Sequence, residues 1–158
     1  MNQLLNFSNK SRPLFLVLSL FLLAQSFFSC ATKSKNSSKI VDSPVLITYS
    51  KEGTRGLRNP LYTIEILEGK VAKYTGIANV PVIGERLIEL DKKEYQTIIQ
   101  KFEGANFTAF ETVYKGKMRD LPLTSITFNK HKITYQPAVC PEKLMDLAEI
   151  MERLVPTF

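Results

Sequence analysis

The chain has 158 residues, with 21 Lys and Arg against 15 Asp and Glu, a formal net charge of +6, 44% hydrophobic residues, two cysteines and no tryptophan. That composition excludes a disulfide-dense scaffold and a disordered chain, and the length leaves one domain as the natural expectation. The positive charge is spread too thinly, and without interleaved aromatics, for a nucleic-acid binder.

Lys10 and Arg12 form a small cationic region ahead of an apolar run, Leu14 to Ala24, which is shorter than the about 20 residues of a spanning helix. After it, Phe27-Phe28-Ser29-Cys30 resembles a lipobox, in which a small residue precedes a cysteine that is acylated and exposed by cleavage. Phe27 stands where Leu is usual and Phe28 where a small residue is. This reading predicts a lipoprotein signal peptide over residues 1–29, lipidation at Cys30, a flexible tether over 30–40 and a single domain over 41–158. Two other fates stay open: Ala24-Gln25-Ser26 suits ordinary signal peptidase, and an uncleaved segment would serve as a signal anchor. Two or three acyl chains hold a protein on a membrane for practical purposes permanently, since each buried CH₂ contributes about 0.8 kcal/mol. Ala31 and the lack of a following acidic cluster favour, by analogy, the periplasmic face of the outer membrane. Thr32 to Lys39 contains no apolar residue and reads as solvated spacer.

Within the domain, Ser43-Pro44 open a β-branched and aromatic run, Val45 to Ser50, which reads as a strand. Lys51 to Asn59 is a polar loop containing glycines. Tyr62, Ile64 and Ile66 alternate with Thr63 and Glu65, and Glu68-Gly69 turn the chain into Lys70 to Gly76, which predicts a hairpin. A further strand is expected over Gly84 to Leu90. Asp91 suits an N-cap with Glu94 three residues on, and Tyr95, Ile98, Ile99 and Phe102 share one face of a helix ending near Gly104. Phe107 and Phe110 are expected to close the core, and Tyr114 to Arg119 to form a second basic loop. Leu123 to Phe128 and Lys132 to Gln136 predict a second hairpin turning at Asn129-Lys130-His131. Pro141 fits the first turn of a helix whose face is Leu144, Leu147, Ala148 and Met151, with Pro156 ending the run. The order predicts an α+β domain, a largely antiparallel sheet with two helices packed on one face.

Several pieces occur together in a fixed order: Ile47-Thr48-Tyr49-Ser50-Lys51, Gly56, Pro60-Leu61-Tyr62, Tyr74-Thr75-Gly76 and Asp120-Leu121-Pro122. Through them the chain, from Ile47 to its end, resembles an uncharacterised domain family of short Bacteroidota lipoproteins, whose first loop carries Gly-Pro-Cys-x-Gly-x-Cys-Pro-x-Tyr. Here Asn59 stands where the second of those cysteines would precede the proline, and Lys51 to Pro60 contains no cysteine. The resemblance implies a fold and a location, with no thiol or disulfide role for the loop.

The chain contains no Cys-x-x-Cys, no glycine-rich phosphate loop and a single histidine, so nothing in it points to a cofactor or a multi-histidine metal site. With Cys30 lipidated, Cys140 is the one remaining thiol and no intramolecular disulfide forms. Cys140 reads as a small, buried or half-buried cysteine ahead of a helix, and His131 as a solvated turn residue. A thiol site would need the two together, and acid–base work would need a pair such as Asp120 with Glu111 or Glu52 with Glu68. The best candidate binding surface is Arg55 and Arg58 in the first loop with Lys115, Lys117 and Arg119 in the second, because guanidinium groups grip carboxylate and phosphate. The expectation is a non-enzymatic, lipid-anchored envelope module that binds a protein, peptidoglycan or lipopolysaccharide. The alternatives are a small envelope enzyme using Cys140 or a carboxylate pair, and a structural or inhibitor-like protein that binds through its sheet.

Overall fold

The computed structural model describes residues 43–53, 58–118 and 121–157. The signal segment, Cys30 and the tether lie outside the described residues. Four strands come first, the two central to the hairpin being built on alternating apolar side chains: β1 (Val45–Glu52), β2 (Leu61–Leu67), β3 (Val71–Ala78) and the mostly exposed β4 (Gly84–Glu89). Gly69 and Lys70, both at positive φ, turn β2 into β3. Asp91 caps α1 (Lys92–Glu103) by accepting from the Glu94 amide at 2.8 Å.

After a 3₁₀ turn at Phe107–Ala109 come β5 (Val113–Tyr114), β6 (Leu123–Phe128), β7 (His131–Tyr135) and α2 (Glu142–Glu152). All seven strands form one sheet in the order β4-β3-β2-β1-β6-β7-β5, antiparallel except where β5 runs parallel to β7. Thus α1 carries the chain from one edge of the sheet to the other.

Three details differ from the sequence reading. Tyr114, expected to open a loop, instead ends a short edge strand begun by Val113, held by Thr134 N to Thr112 O and Gln136 N to Tyr114 O. His131 is not a solvated turn residue: Asn129 and Lys130 alone make the turn, each at positive φ, and His131 opens β7 with its ring edge-on to Phe107 at 5.9 Å. Pro141 stands at the N-cap of α2 rather than in its first turn, its carbonyl accepting from Leu144 and Met145.

The strand registers sort the helix-covered face of the sheet into three rows. The first is Ala72, Ile66, Ile47, Phe128 and His131, and the second Tyr74, Ile64, Tyr49, Ile126 and Ile133. The third is Gly76, Tyr62, Lys51, Thr124 and Tyr135. Ile98 and Phe102 of α1 and Leu144, Leu147 and Met151 of α2 join the same core cluster, which places both helices on this face. The core therefore grades from phenyl to phenol. At the first row Phe102 meets Phe107 and Phe128 at 6.2 and 5.5 Å between ring centroids, while at the third Tyr62 lies 6.1 Å from Tyr49 and 5.9 Å from Tyr74. Aromatic pairs at such spacings favour tilted and edge-on geometry, and phenols need a polar partner when buried.

Candidate binding site at the loop end of the sheet

The phenol end finds that partner in the last turn of α2. The Tyr49 hydroxyl donates to Glu152 Oε1 at 2.5 Å, and the same oxygen receives Lys51 Nζ at 2.8 Å. Lys51 also stands 5.8 Å from the centre of the Tyr62 ring. Burial pushes the Tyr49, Tyr62 and Tyr135 phenols well above the usual range, and the nearby Glu152 carboxylate raises all three further. These tyrosines therefore work as neutral donors and packing surface at ordinary pH.

The two polar loops leave the sheet at this end because β1 and β6 are paired antiparallel, with Glu52 opposite Leu123. The last residues of the first loop and the residues leading into β6 then close a niche of about 180 Å³, lined by Lys51, Asn59, Pro60, Leu123, Thr124 and two further prolines, Pro122 and Pro137. Asn59 is fixed through its carbonyl, which accepts from Asn79 Nδ2 at 3.0 Å, while its own Nδ2 is buried with no partner among the described residues. Thr124 and Pro137 also border a larger groove of about 390 Å³ along α2, whose acidic side is Glu142, Asp146, Glu149 and Glu152.

Gln136 holds the second loop in place. Its side chain, 2% exposed with its residue, accepts from Gly116 N at 2.6 Å and donates to Met118 O at 2.9 Å. Lys115 and Lys117 project from the stretch so pinned, and both are exposed, as is Arg58 in the first loop. Among the described residues none of these three cations is in an ion pair. Arg55 and Arg119 lie outside the described residues. The register thus brings the two basic loops to one end of the sheet.

Two of the residue pairs considered for catalysis are described, and neither comes together. Glu52 ends β1, whereas Glu68 follows Leu67, the partner of Val45 at the opposite end of that strand. Asp120, weighed as a partner for Glu111, lies outside the described residues. His131 begins β7 and Cys140 lies beyond its other end. Cys140 is half-buried, and burial pushes its thiol up to about 11, the opposite of what a nucleophile needs. Among the described residues no three His, Cys, Asp or Glu side chains gather closely enough to hold a metal, and no helix is long and apolar enough to cross a membrane.

Gln136, Glu152 and the buried amide of Asn59 are the site residues that sequence reasoning missed. The available signal was the parity of Tyr49, Tyr62, Tyr74 and Tyr135, all on core-facing positions of their strands. Four phenols in one core imply a polar partner at that end.

The pieces Pro60-Leu61-Tyr62, Tyr74-Thr75-Gly76 and Leu121-Pro122 all serve this end. Pro60 and Pro122 wall the niche, the Tyr62 ring lies 5.8 Å from Lys51 Nζ, which also lines it, and the Tyr74 hydroxyl donates to Val82 O at 3.0 Å beside Gly76. The model of the family described as Domain of unknown function (DUF6438) matches residues 45–155. No curated protein matches the chain, and no solved structure does.

Proposed function

We propose, for a chain that belongs to the family described as Domain of unknown function (DUF6438), a role as a lipid-anchored, non-enzymatic module that holds an envelope polymer at the loop end of its sheet. The observation that carries this reading is the pairing of Glu52 with Leu123, which sets a niche between two loops whose described cations, Arg58, Lys115 and Lys117, are exposed and unpaired. Arg58, Lys115 and Lys117 suit the carboxylates and phosphates of peptidoglycan or lipopolysaccharide. The separation of Glu52 from Glu68, and the raised thiol of Cys140, support binding over catalysis.

Phe27-Phe28-Ser29-Cys30 supports anchoring through acyl chains on Cys30, at the periplasmic face of the outer membrane. The mature protein's intact mass tests the anchor: an acyl increment on a chain beginning at Cys30, lost in Cys30→Ser, is the expected result. An unmodified chain cleaved after Ser26 would sink it. Retention on purified peptidoglycan sacculi and on lipopolysaccharide tests the site. Joint replacement of Arg58, Lys115 and Lys117 by Glu is expected to reduce retention on the bound polymer at least tenfold. Unchanged retention would overturn the charged-loop reading.

A second reading, sheet-mediated protein binding, draws on the face of the sheet opposite the helices. There Thr75, Thr63, Ser50, Ser125 and Thr134 form one row across five strands, beside a second row of Lys73, Glu65, Thr48, Thr127 and Lys132. Ser50 and Thr63 hydroxyls are 3.1 Å apart, and Lys73 pairs with Glu65 at 2.7 Å. A complex formed on these rows should survive Arg55→Glu with Arg58→Glu, whereas a loop-mediated one should not.

A further inference from the structure

We infer that the loop end also docks on the surface of an anionic phospholipid leaflet, a reading that goes beyond the polymer role and shares its cations. The three most exposed large hydrophobic residues among those described, Met118, Ile77 and Ile83, are 70%, 60% and 59% exposed. All three stand at this end. Ile77 follows Gly76 and Ile83 precedes Gly84, the pair that closes the β3–β4 ladder in the same row as Lys51 and Thr124. Met118 belongs to the second loop, where its carbonyl accepts from Gln136. Single exposed hydrophobics are ordinary on a protein surface, but these adjoin the exposed cations of the two loops. Lys117 precedes Met118 in the chain, and Arg58 precedes Asn59, whose carbonyl accepts from Asn79 Nδ2 two residues after Ile77. Between the two groups, Pro60, Pro122 and Leu123 on the niche wall continue the apolar strip.

A lipid surface answers both features at once. Aliphatic tips enter the boundary between headgroups and acyl chains while Lys and Arg meet the phosphates, and tips set apart along a strip need no matching shape there. Peptidoglycan offers carboxylates but no hydrocarbon, and a protein partner calls for a continuous apolar centre rather than separated tips. The carboxylates of the adjoining elements do not cancel the charge, since Glu152 is held by Lys51 at 2.8 Å and Glu52 lies 3.9 Å from Lys132. Glu142 and Asp146 line the groove along α2, on the helix side of the sheet. Ile77 and Ile83 flank the core-facing Gly76 and Gly84 and so belong to the open side. The chain enters the domain at the other end of β1, where Val45 pairs with Leu67. Extended, the stretch from Cys30 to Ser43 reaches about 45 Å, against about 26 Å for the eight residues of β1. An anchor on Cys30 therefore allows the loop end to lie on the leaflet that holds the acyl chains.

The chain has no tryptophan, so a single indole reports on its own position. Met118→Trp, Ile77→Trp and, as a control in the middle of β4, Leu87→Trp are each made in the otherwise native protein, purified from membranes and reconstituted into vesicles whose acyl chains carry bromine, a contact quencher. With a third of the lipid phosphatidylglycerol, Met118→Trp and Ile77→Trp are expected to be quenched at least threefold more than Leu87→Trp, and at least threefold more than in phosphatidylcholine alone. Joint replacement of Arg58, Lys115 and Lys117 by Glu should remove that excess with thermal unfolding still cooperative. Equal quenching at the three positions, equal quenching in the two lipids, or an excess that survives the charge reversal would overturn the inference. Ile77→Asn with Ile83→Asn should lower the Met118→Trp quenching at least twofold, and an undiminished signal there would overturn it as well. Sacculi separate lipid docking from the polymer role. No excess quenching in a protein still retained on sacculi removes lipid docking alone, and excess quenching in a protein retained on neither sacculi nor lipopolysaccharide removes the polymer role alone.

Discussion

Tyr49 and Glu152 lie 103 positions apart and meet at 2.5 Å, hydroxyl to carboxylate, joining the central strand of the sheet to the last turn of the final helix. Lys51, two residues along β1, reaches the same oxygen at 2.8 Å, so Glu152 ties two positions of one strand to α2. Hydrogen bonds to charged groups contribute about 1.5–3 kcal/mol, and Tyr49→Phe removes this one with little change of volume. Urea unfolding of Tyr49→Phe should show a loss in that range. Glu152→Gln, which keeps an acceptor but loses the charge, should cost less, and the double variant less than the sum of the two. Strict additivity would mean that the Glu152 charge adds nothing to its bond with Tyr49.

The same phenols predict how the domain responds to alkali. Burial raises the folded-state pKa of Tyr49, Tyr62 and Tyr135 above the unfolded value of about 10. The stability associated with that shift is fully present below pH 10 and is lost as the pH rises above it, because the unfolded chain then gives up protons that the folded one retains. Phenolate absorbance should therefore arrive in two steps, an early one from accessible tyrosines and a late, cooperative one coincident with loss of the circular dichroism of the sheet. Smooth titration of all six tyrosines near pH 10 in a chain that stays folded would contradict the buried cluster.

Local features of this fold were legible, and long-range ones were not. Asp91 with Glu94, the 3.6-residue spacing of Tyr95, Ile98, Ile99 and Phe102, and the alternation of Tyr62, Ile64 and Ile66 each reflect chemistry contained within a few residues, and the helix and strand they predict are present. Val113 and Tyr114 are too few to show a period, and their strand exists because β7 offers an edge. Register between β1 and β6 joins segments more than seventy residues apart, so the sequence located both basic loops without showing that they share an end of the sheet. Gln136 read as the tail of a strand. Its importance lies in two backbone groups, Gly116 N and Met118 O, whose positions depend on the same register.

Gln136 should accordingly be costly to replace. Gln136→Leu keeps most of the volume but leaves Gly116 N and Met118 O without their partner, at about 1–3 kcal/mol for a buried group left unpaired. Amide exchange at Gly116 should accelerate far more than exchange in β1, and retention on the envelope polymer should fall as Lys115 and Lys117 lose their fixed positions. Unaltered exchange at Gly116 would show that the loop is held by something else.

Cys140 gives a test that needs no ligand. With its thiol pushed up to about 11 by burial, only a small fraction is thiolate at neutral pH, and the thiolate is the species that reacts. Iodoacetamide at pH 7.5 should label the folded protein at least tenfold more slowly than the urea-unfolded chain. Rapid labelling of the folded state would revive a reactive-thiol role for this residue.

Among the described glycines, Gly76 is the most closely approached. A Cβ built there would lie 2.0 Å from Val82 O and 2.7 Å from the Tyr74 hydroxyl, the two atoms that hydrogen-bond each other at 3.0 Å. No rotamer relieves that contact, since Cβ is fixed by the backbone, so either the strand or the connection to β4 must move. Displacing Val82 O breaks its bond with Tyr74 and leaves a phenol unpaired beside Tyr62, which combines overpacking with a lost hydrogen bond. Gly76→Ala should therefore destabilise the domain by at least about 2 kcal/mol in urea unfolding. Gly76→Ala with Tyr74→Phe should recover part of that loss, because the phenol oxygen is one of the two clashing atoms. Gly104→Ala is the control: its nearest neighbour is Gln100 O at 3.2 Å and its backbone is right-handed helical, so the change should stay within about 1 kcal/mol of zero. Equal effects at the two glycines would mean that the close approach of residue 82 to β3 does not constrain the fold.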